Sequence, residues 1–526
     1  MVKPFIHRAA VSFGLANLYL LALTGPLISS AHDLVYHLTG SASVIFIPVI
    51  INLLALWVVF IGLFALAERS ERLMVAIWSA TLLALPWILV KTFMGFFGSS
   101  VPRWVSALIA LASLATFLAI VLSGRMRRAF EKVQPLAATV LGFFALCGVL
   151  ILCQLVWFGW QARDLNPAPR LHQENTATAV VKPHIIWIVL DELSYQQVYE
   201  QRFPGLQLPA FDQLEAESTM FTQVTPAGEY TRQVLPSLLT GTPVNGISVS
   251  GAGMLSALHN AATHQWVRFS PQDTVFRDAL NAGYSTGLVG WYNPYCRILP
   301  SVLDHCYWMY HEDTPARLSP QGNAALNTVL PLRLLWKRVR HFFGIGPAVL
   351  SAEQIDIRMH SGDYRDLLAA GDDLLNDPSA NFILLHMPVP HPFGFYDRKS
   401  GQIALHHTSY IDNLALADRY LGHVRTLLAE RGEWDSSTVV VMGDHSWRTK
   451  LIWANSDGWL AEDQAASHGG KFDSRPAYLV KLPNEHGSAR IDTPFAAVRT
   501  RAMFDAMLQG RVQSPAELQS WVANQR

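Results

Sequence analysis

GEYTRQVLPSLLTG, residues 228–241, is the stretch around which the rest of the chain falls into place. One hydroxyl, Thr231, precedes an apolar run that closes on Gly241. A threonine at the head of a helix serves as a cap. A hydroxyl there also meets backbone N–H groups suited to an anion, so the two readings are compatible. Free hydroxyls are poor nucleophiles near neutral pH and need a base or a metal beside them. Thr222, Thr225 and Ser237 are rival hydroxyls.

Two further segments supply what Thr231 lacks. IIWIVLDE ends on Asp191 and Glu192, and TVVVMGDH ends on Asp444 and His445. Both are short, β-branched apolar runs, the pattern of buried strands. Similar runs occur at 284–291, 381–389 and 476–483, with helical patterns such as YIDNLALADRYLGHVRTLLAERG between them. Alternating strands and helices predict an α/β domain with a largely parallel sheet. Sites in such sheets form beyond the carboxyl ends of strands. Asp191, Glu192, His391, Asp444 and His445 all stand at or after such ends. Carboxylate oxygen with imidazole nitrogen suits a divalent ion, zinc or manganese better than calcium. Any one Asp-Glu or Asp-His pair is common; the weight lies in two at strand ends.

The first 165 residues are different. Five apolar runs (9–31, 44–67, 73–97, 104–123 and 136–160) reach the ~20 residues a bilayer crossing needs. Lys3, Arg8, Arg69, Arg72, Arg125, Arg127, Arg128 and Lys132 fall in alternate gaps, while the other two hold only Arg103. The positive-inside rule then predicts a cytoplasmic N-terminus. Five crossings put the rest of the chain outside. Formal charge balances at 40 basic and 40 acidic residues, so nothing suggests a nucleic-acid partner. The expected division is a transmembrane domain over 1–160, a linker over 161–182, a catalytic domain over 183–500 and a helical tail over 501–526. One insert, TVLPLRLLWKRVRHFFGI (328–345), has a basic amphipathic pattern. It fits either a surface helix of the domain or a helix lying on the leaflet. Cys296 and Cys306 can close a short loop in an oxidising compartment, or stand as free thiols.

The order of these motifs (strand with Asp-Glu, a hydroxyl ahead of LPSLLTG, PHPF, GDH, then SHGGKF) resembles the alkaline phosphatase/sulfatase superfamily over about residues 183–485. Apolar spans before such a domain are similar to its lipid-dependent branch, the lipoteichoic acid synthases and lipid A phosphoethanolamine transferases. The resemblance implies a membrane-embedded phosphotransferase with a five-helix transmembrane domain and a sulfatase-like α/β domain. It implies Thr231 as nucleophile and metal ligand, ten positions before Gly241. Asp191, Asp444 and His445 become metal ligands, with Glu192 at the second acidic position. His391 and His468 become catalytic and phosphate-contacting residues. Gly290–Asn293 reads GWYN, so Trp291 and Asn293 become substrate-binding candidates.

Departures from the family pattern are equally informative. Gln233 and Leu235 replace the proline and arginine of the sulfatase signature, and no cysteine or serine stands at 231. Formylglycine formation is therefore not expected. The expectation is transfer of a phospholipid head-group phosphoryl unit, of phosphoglycerol or phosphoethanolamine type, through Thr231 to an envelope glycan or glycolipid. The alternatives are a phosphodiester or sulfate-ester hydrolase of the same fold, and a non-catalytic envelope scaffold. The expected place is a bacterial plasma membrane, with the catalytic domain periplasmic or extracytoplasmic.

Overall fold

Ile185–Leu190 has no polar face, so this strand is stable only where both faces are covered. The computed structural model describes residues 2–29, 31–96, 103–165, 170–172, 182–311, 323–342, 345, 352–456 and 458–524. Nine strands form the central sheet: β1 (Arg170–His172), β2 (Ile185–Leu190), β3 (Thr219–Phe221), β4 (Thr286–Trp291), β5 (His305–Met309), β6 (Phe382–Met387), β7 (Thr438–Gly443), β8 (Tyr478–Lys481) and β9 (Ala489–Ile491). Their order is β1-β5-β4-β6-β2-β7-β8-β3-β9. The five strands from β5 to β7 are mutually parallel. β8 runs antiparallel to both neighbours, and β1 is antiparallel to β5. β2, β4, β6 and β7 are buried along their whole length.

Register sets the site. Leu190 pairs with Met387 on one side and Gly443 on the other, so three chains leave the sheet at one level. Asp191, Asp444 and the loop toward His391 therefore emerge together. The Thr231–Thr240 helix buries Val234, Leu235, Leu238 and Leu239. It stops at Gly241, whose φ of 67° is the left-handed geometry a helix C-terminus favours. Cys296 and Cys306 form a disulfide, while Cys147 and Cys153 are free.

The chain forms two compact units, Met1–Leu165 with Asp313–Pro347, and Asn166–Glu312 with Ala348–Arg526. The first holds α1 (Val2–Tyr19), α2 (Leu21–Ser29), α3 (Ala31–His37), α4 (Ser43–Ala67), α5 (Glu71–Phe96), α6 (Arg103–Leu122) and α7 (Gly124–Gln161). Among the described residues, four helices are long and apolar enough to cross a membrane, beginning at Ser43, Glu71, Trp104 and Gly124. The expected first crossing, 9–31, is instead broken at Leu20 into α1 and α2. Leu20 is a one-residue turn between them, and its N–H still donates to the Ala16 carbonyl at 3.1 Å. The last crossing is part of a single 38-residue helix that also includes the basic stretch from Arg125 to Lys132. A side chain at Gly14 would strike the Leu141 carbonyl, and one at Gly148 would strike Asn17. Close approach of α1 and α7 thus requires both glycines.

The amphipathic insert forms a helix, Ala324–Phe342, that belongs to the first unit. Asn52 Nδ2 on α4 donates to the Thr328 carbonyl at 3.0 Å, and Asn327 Nδ2 donates to the Val44 carbonyl at 2.7 Å. Leu330 packs against the cluster of Leu27, Ile45 and Phe46. Leu332 and Trp336 stay about two-thirds exposed. The side chains of Lys337 and Arg338 lie outside the described residues, as do 166–169 and 173–181 of the expected linker. At the other end, Phe504 of the tail packs against Trp187 and Phe382 with ring centroids 5.0 and 5.5 Å apart. The tail is thus part of the second unit's core.

Candidate functional site

Thr231, Asp191, Asp444 and His445 converge. Thr231 Oγ1 donates to Asp444 Oδ2 at 2.9 Å and lies 3.3 Å from Asp191 Oδ2. Asp444 Oδ1 accepts from the backbone N–H of Glu192 at 3.0 Å and of His445 at 2.7 Å, which turns Oδ2 toward the threonine. His445 Nε2 is 3.1 Å from that same Oδ2. A fifth group, His386 on β6, brings Nε2 to 3.9 Å from Asp191 Oδ2, and its Nδ1 is bonded to the Tyr295 hydroxyl at 2.8 Å. Sequence reading missed His386, because a histidine inside FILLHM looks like a packed core residue.

These groups fit a divalent cation. Asp191 Oδ1, His386 Nε2 and His445 Nε2 are buried without a hydrogen-bond partner among the described residues. Buried polar atoms are normally satisfied, and an orphaned group costs ~1–3 kcal/mol. Burial, with Asp444 and Glu192 adding to it, holds the Asp191 carboxyl well above the ordinary range. Burial also raises Asp444. It pushes His386 and His445 down to about 4, so both imidazoles are neutral and have a lone pair to offer. Asp191, His386 and Asp444 bring ligand atoms within 4.8 Å of one another, as do Asp191, Glu192 and His445.

Glu192 has another occupation. Its backbone is left-handed, φ 63°, and its carboxylate accepts from Arg448 Nε at 2.9 Å and the Arg448 N–H at 3.1 Å. Trp453 Nε1 reaches both its oxygens at 3.0 Å. Glu192 thus anchors a buried guanidinium, which lies over the Tyr230 ring at 5.4 Å, next to Thr231. Arg448 and Trp453 belong to no motif the sequence offered, although Arg448 follows Asp444 by only four residues.

His391 is brought into the same cleft. Burial pushes its imidazole well below the ordinary range, with the charge of Arg448 adding to the effect. Its ring meets Trp291 at 5.4 Å and Trp453 at 5.3 Å, both edge to face. Trp291 is itself held by Asp363, which accepts from its Nε1 at 3.1 Å. Asn293 is buried behind the site, with Nδ2 3.4 Å from the Tyr295 hydroxyl that supports His386. The structure therefore places it behind a candidate ligand. His468 is not gathered in. Its side chain is exposed and makes no hydrogen bond among the described residues, at a left-handed backbone φ of 52°.

No curated protein matches the chain significantly. Among solved structures it is similar to Ps i-CgsB in complex with k-i-k-neocarrahexaose, at 18% identity over 65% of this chain and 76% of that one, TM-score 0.42. It is also similar to the phosphonate monoester hydrolase of Agrobacterium radiobacter, at 13% identity over 62% and 74%, TM-score 0.37. A third is the lipoteichoic acid synthase LtaP from Listeria monocytogenes, at 14% identity over 65% and 76%, TM-score 0.34. The sulfatase family model matches residues 183–483, more than half the chain and the whole of the segment that builds this site. On that match the chain belongs to the sulfatase family.

Proposed function

We propose that the protein is a membrane-anchored phosphotransferase that takes the head-group phosphoryl unit of a phospholipid onto Thr231 and passes it to a hydroxyl of an envelope glycan or glycolipid. The observation that carries this reading is the Thr231 hydroxyl, an unmodified threonine, bonded to one buried carboxylate and beside another at the head of a helix. Asp191, Asp444, His386 and His445, with Thr231 beside them, would hold a divalent cation, zinc or manganese. Such an ion lowers the pKa of a neighbouring hydroxyl and offsets charge on phosphoryl oxygens.

The chain's own groups do the remaining work. Asp444 Oδ2 accepts from Thr231 and aims its lone pair out of the helix. The helix N-terminus carries partial positive charge toward the incoming anion. Arg448, held in place by Glu192, adds a full one. Thr231 Oγ1 bonds to phosphorus as the bond from phosphorus to the diacylglycerol oxygen breaks, with net transfer of one proton from threonine to that oxygen. The acceptor hydroxyl then reverses the exchange and restores Thr231. His391 would hand a proton to the departing oxygen and take one from the arriving hydroxyl. A bound phosphodiester brings negative charge that draws the imidazole pKa back up. The apolar helices of the first unit support a lipid donor, and the Cys296–Cys306 disulfide supports an extracytoplasmic location.

Incubating the solubilised protein with phospholipid and glycolipid, followed by mass spectrometry of the products, tests the reading. A modified glycolipid with matching diacylglycerol supports it. Free phosphorylated head group alone makes the protein a phosphodiesterase.

A further inference from the structure

Catalytic imidazoles are commonly oriented by a carboxylate that accepts from one ring nitrogen. His391 has no such partner: among the described residues no carboxylate bonds its ring, and the Pro392 carbonyl lies beside it. Two tryptophans flank it instead. Trp291 meets the imidazole at an interplanar angle of 63° and Trp453 at 79°. Each indole is held from behind by a buried carboxylate. Trp453 Nε1 donates to Glu192 at 3.0 Å, and Trp291 Nε1 donates to Asp363 at 3.1 Å. Asp363 is fully buried. Its other contacts are the His311 backbone N–H at 3.1 Å and the His311 imidazole.

We propose that Asp363 is a positioning residue for proton transfer at His391: it fixes Trp291 by the indole N–H, and Trp291 with Trp453 fixes the plane of the imidazole. The inference rests on the phosphotransfer reading above. Indole rings are rigid and have two torsions, so one hydrogen bond at Nε1 sets where the far edge lies. Without it the ring can rotate, and the imidazole loses one wall of its slot. Proton transfer is sensitive to such shifts, because donor and acceptor must approach to about 3 Å. Asp363 touches neither Thr231 nor the carboxylates around it. Its effect should therefore fall on steps that need a proton and spare the attack on phosphorus.

Leaving-group dependence reads this directly. The full-length protein would be assayed on phosphatidylglycerol and phosphatidylethanolamine micelles, whose alkoxide leaving group needs a proton. Bis(p-nitrophenyl) phosphate, whose nitrophenolate needs none, is the second donor. Asp363→Ala should lower kcat on the phospholipid turned over by about 30-fold or more, with KM nearly unchanged and the first-turnover burst of nitrophenolate within about threefold. Asp363→Asn keeps an acceptor for Trp291 and should restore most of the loss. His311→Ala removes the other partner of Asp363 and should leave the ratio of the two rates at the wild-type value. On a His391→Ala background, Asp363→Ala should have no further effect. If Asp363→Ala fails to fold, Trp291→Phe keeps a ring without the N–H and should show the same selective loss. Equal loss on both donors, or His311→Ala matching Asp363→Ala, overturns the proposal. Wild-type protein that releases no diacylglycerol from either phospholipid overturns the phosphotransfer reading itself, and this inference with it.

Discussion

The floor of the site and its rim are built from the same residue types and behave oppositely. On the floor, Asp191 Oδ1, His386 Nε2 and His445 Nε2 are buried and have no hydrogen-bond partner among the described residues. On the rim, the carboxylate of Glu192 is filled by Arg448 and Trp453, and that of Asp363 by Trp291 and His311. Asp191 and Glu192 are neighbours in the chain and both fully buried, so burial does not separate them. Satisfaction does. Groups with every bond made hold things in place, and groups with bonds missing are shaped for something that arrives.

The sharpest break between the two regions is expected from Asp444→Ala. It removes a candidate floor ligand and the acceptor of the Thr231 hydroxyl hydrogen bond. Activity should fall by about a thousandfold or more, and bound metal, measured by mass spectrometry of the purified protein, should go with it. Retained metal with lost activity would detach the floor from ion binding.

Glu192→Ala should do the reverse. It strands the Arg448 guanidinium in a buried setting, and losing one partner of a buried pair costs ~3–5 kcal/mol. Denaturant unfolding should show that loss while metal content, assayed in the folded protein, stays near wild type. Loss of metal without loss of stability would move Glu192 from rim to floor.

A third expectation concerns pH. In metal-free protein the Asp191 charge is disfavoured by burial and by its acidic neighbours, so its folded pKa is raised. A raised carboxyl contributes stability at acid pH that is lost as pH climbs through the folded value. Asp191→Asn should therefore melt above metal-free wild type at pH 7, with the gap closing toward pH 4. A gap independent of pH would mean the carboxylate is not strained. The smallest effect belongs to the first unit, where Asn327→Ala removes one hydrogen bond to α4. It should cost about 1 kcal/mol and leave turnover by the second unit unchanged in detergent. A large loss of turnover would give the insert helix a role in catalysis.

Much of this was legible in the sequence. β2 and β7 could be read from their unbroken β-branched runs, and the polar residues after them marked the sheet's carboxyl edge. Thr231 could be singled out through the family resemblance, which puts the nucleophile ten positions before Gly241. His386 could not, because a candidate ligand inside a fully buried strand has the same local pattern as a packed core residue. Arg448, Trp453 and Asp363 were invisible for a different reason: their roles exist only through partners up to 261 residues away. His468 stood in a motif of the right order, yet its side chain faces solvent. For the insert helix, amphipathic pattern marked a face but not what covers it, and Asn52 on α4 supplied the answer. The first apolar run had the length of a crossing but lacked the continuity of one helix.

In the proposed mechanism Thr231 itself carries the transferred group. The direct measurement is to incubate the detergent-solubilised protein with single phospholipids, then follow diacylglycerol release and the mass of the tryptic peptide containing Thr231 together. Stoichiometric release with a phosphoryl head-group increment on Thr231 is expected when no acceptor is present, and neither signal in Thr231→Ala. Full diacylglycerol release by Thr231→Ala, or an increment on another residue, would contradict it.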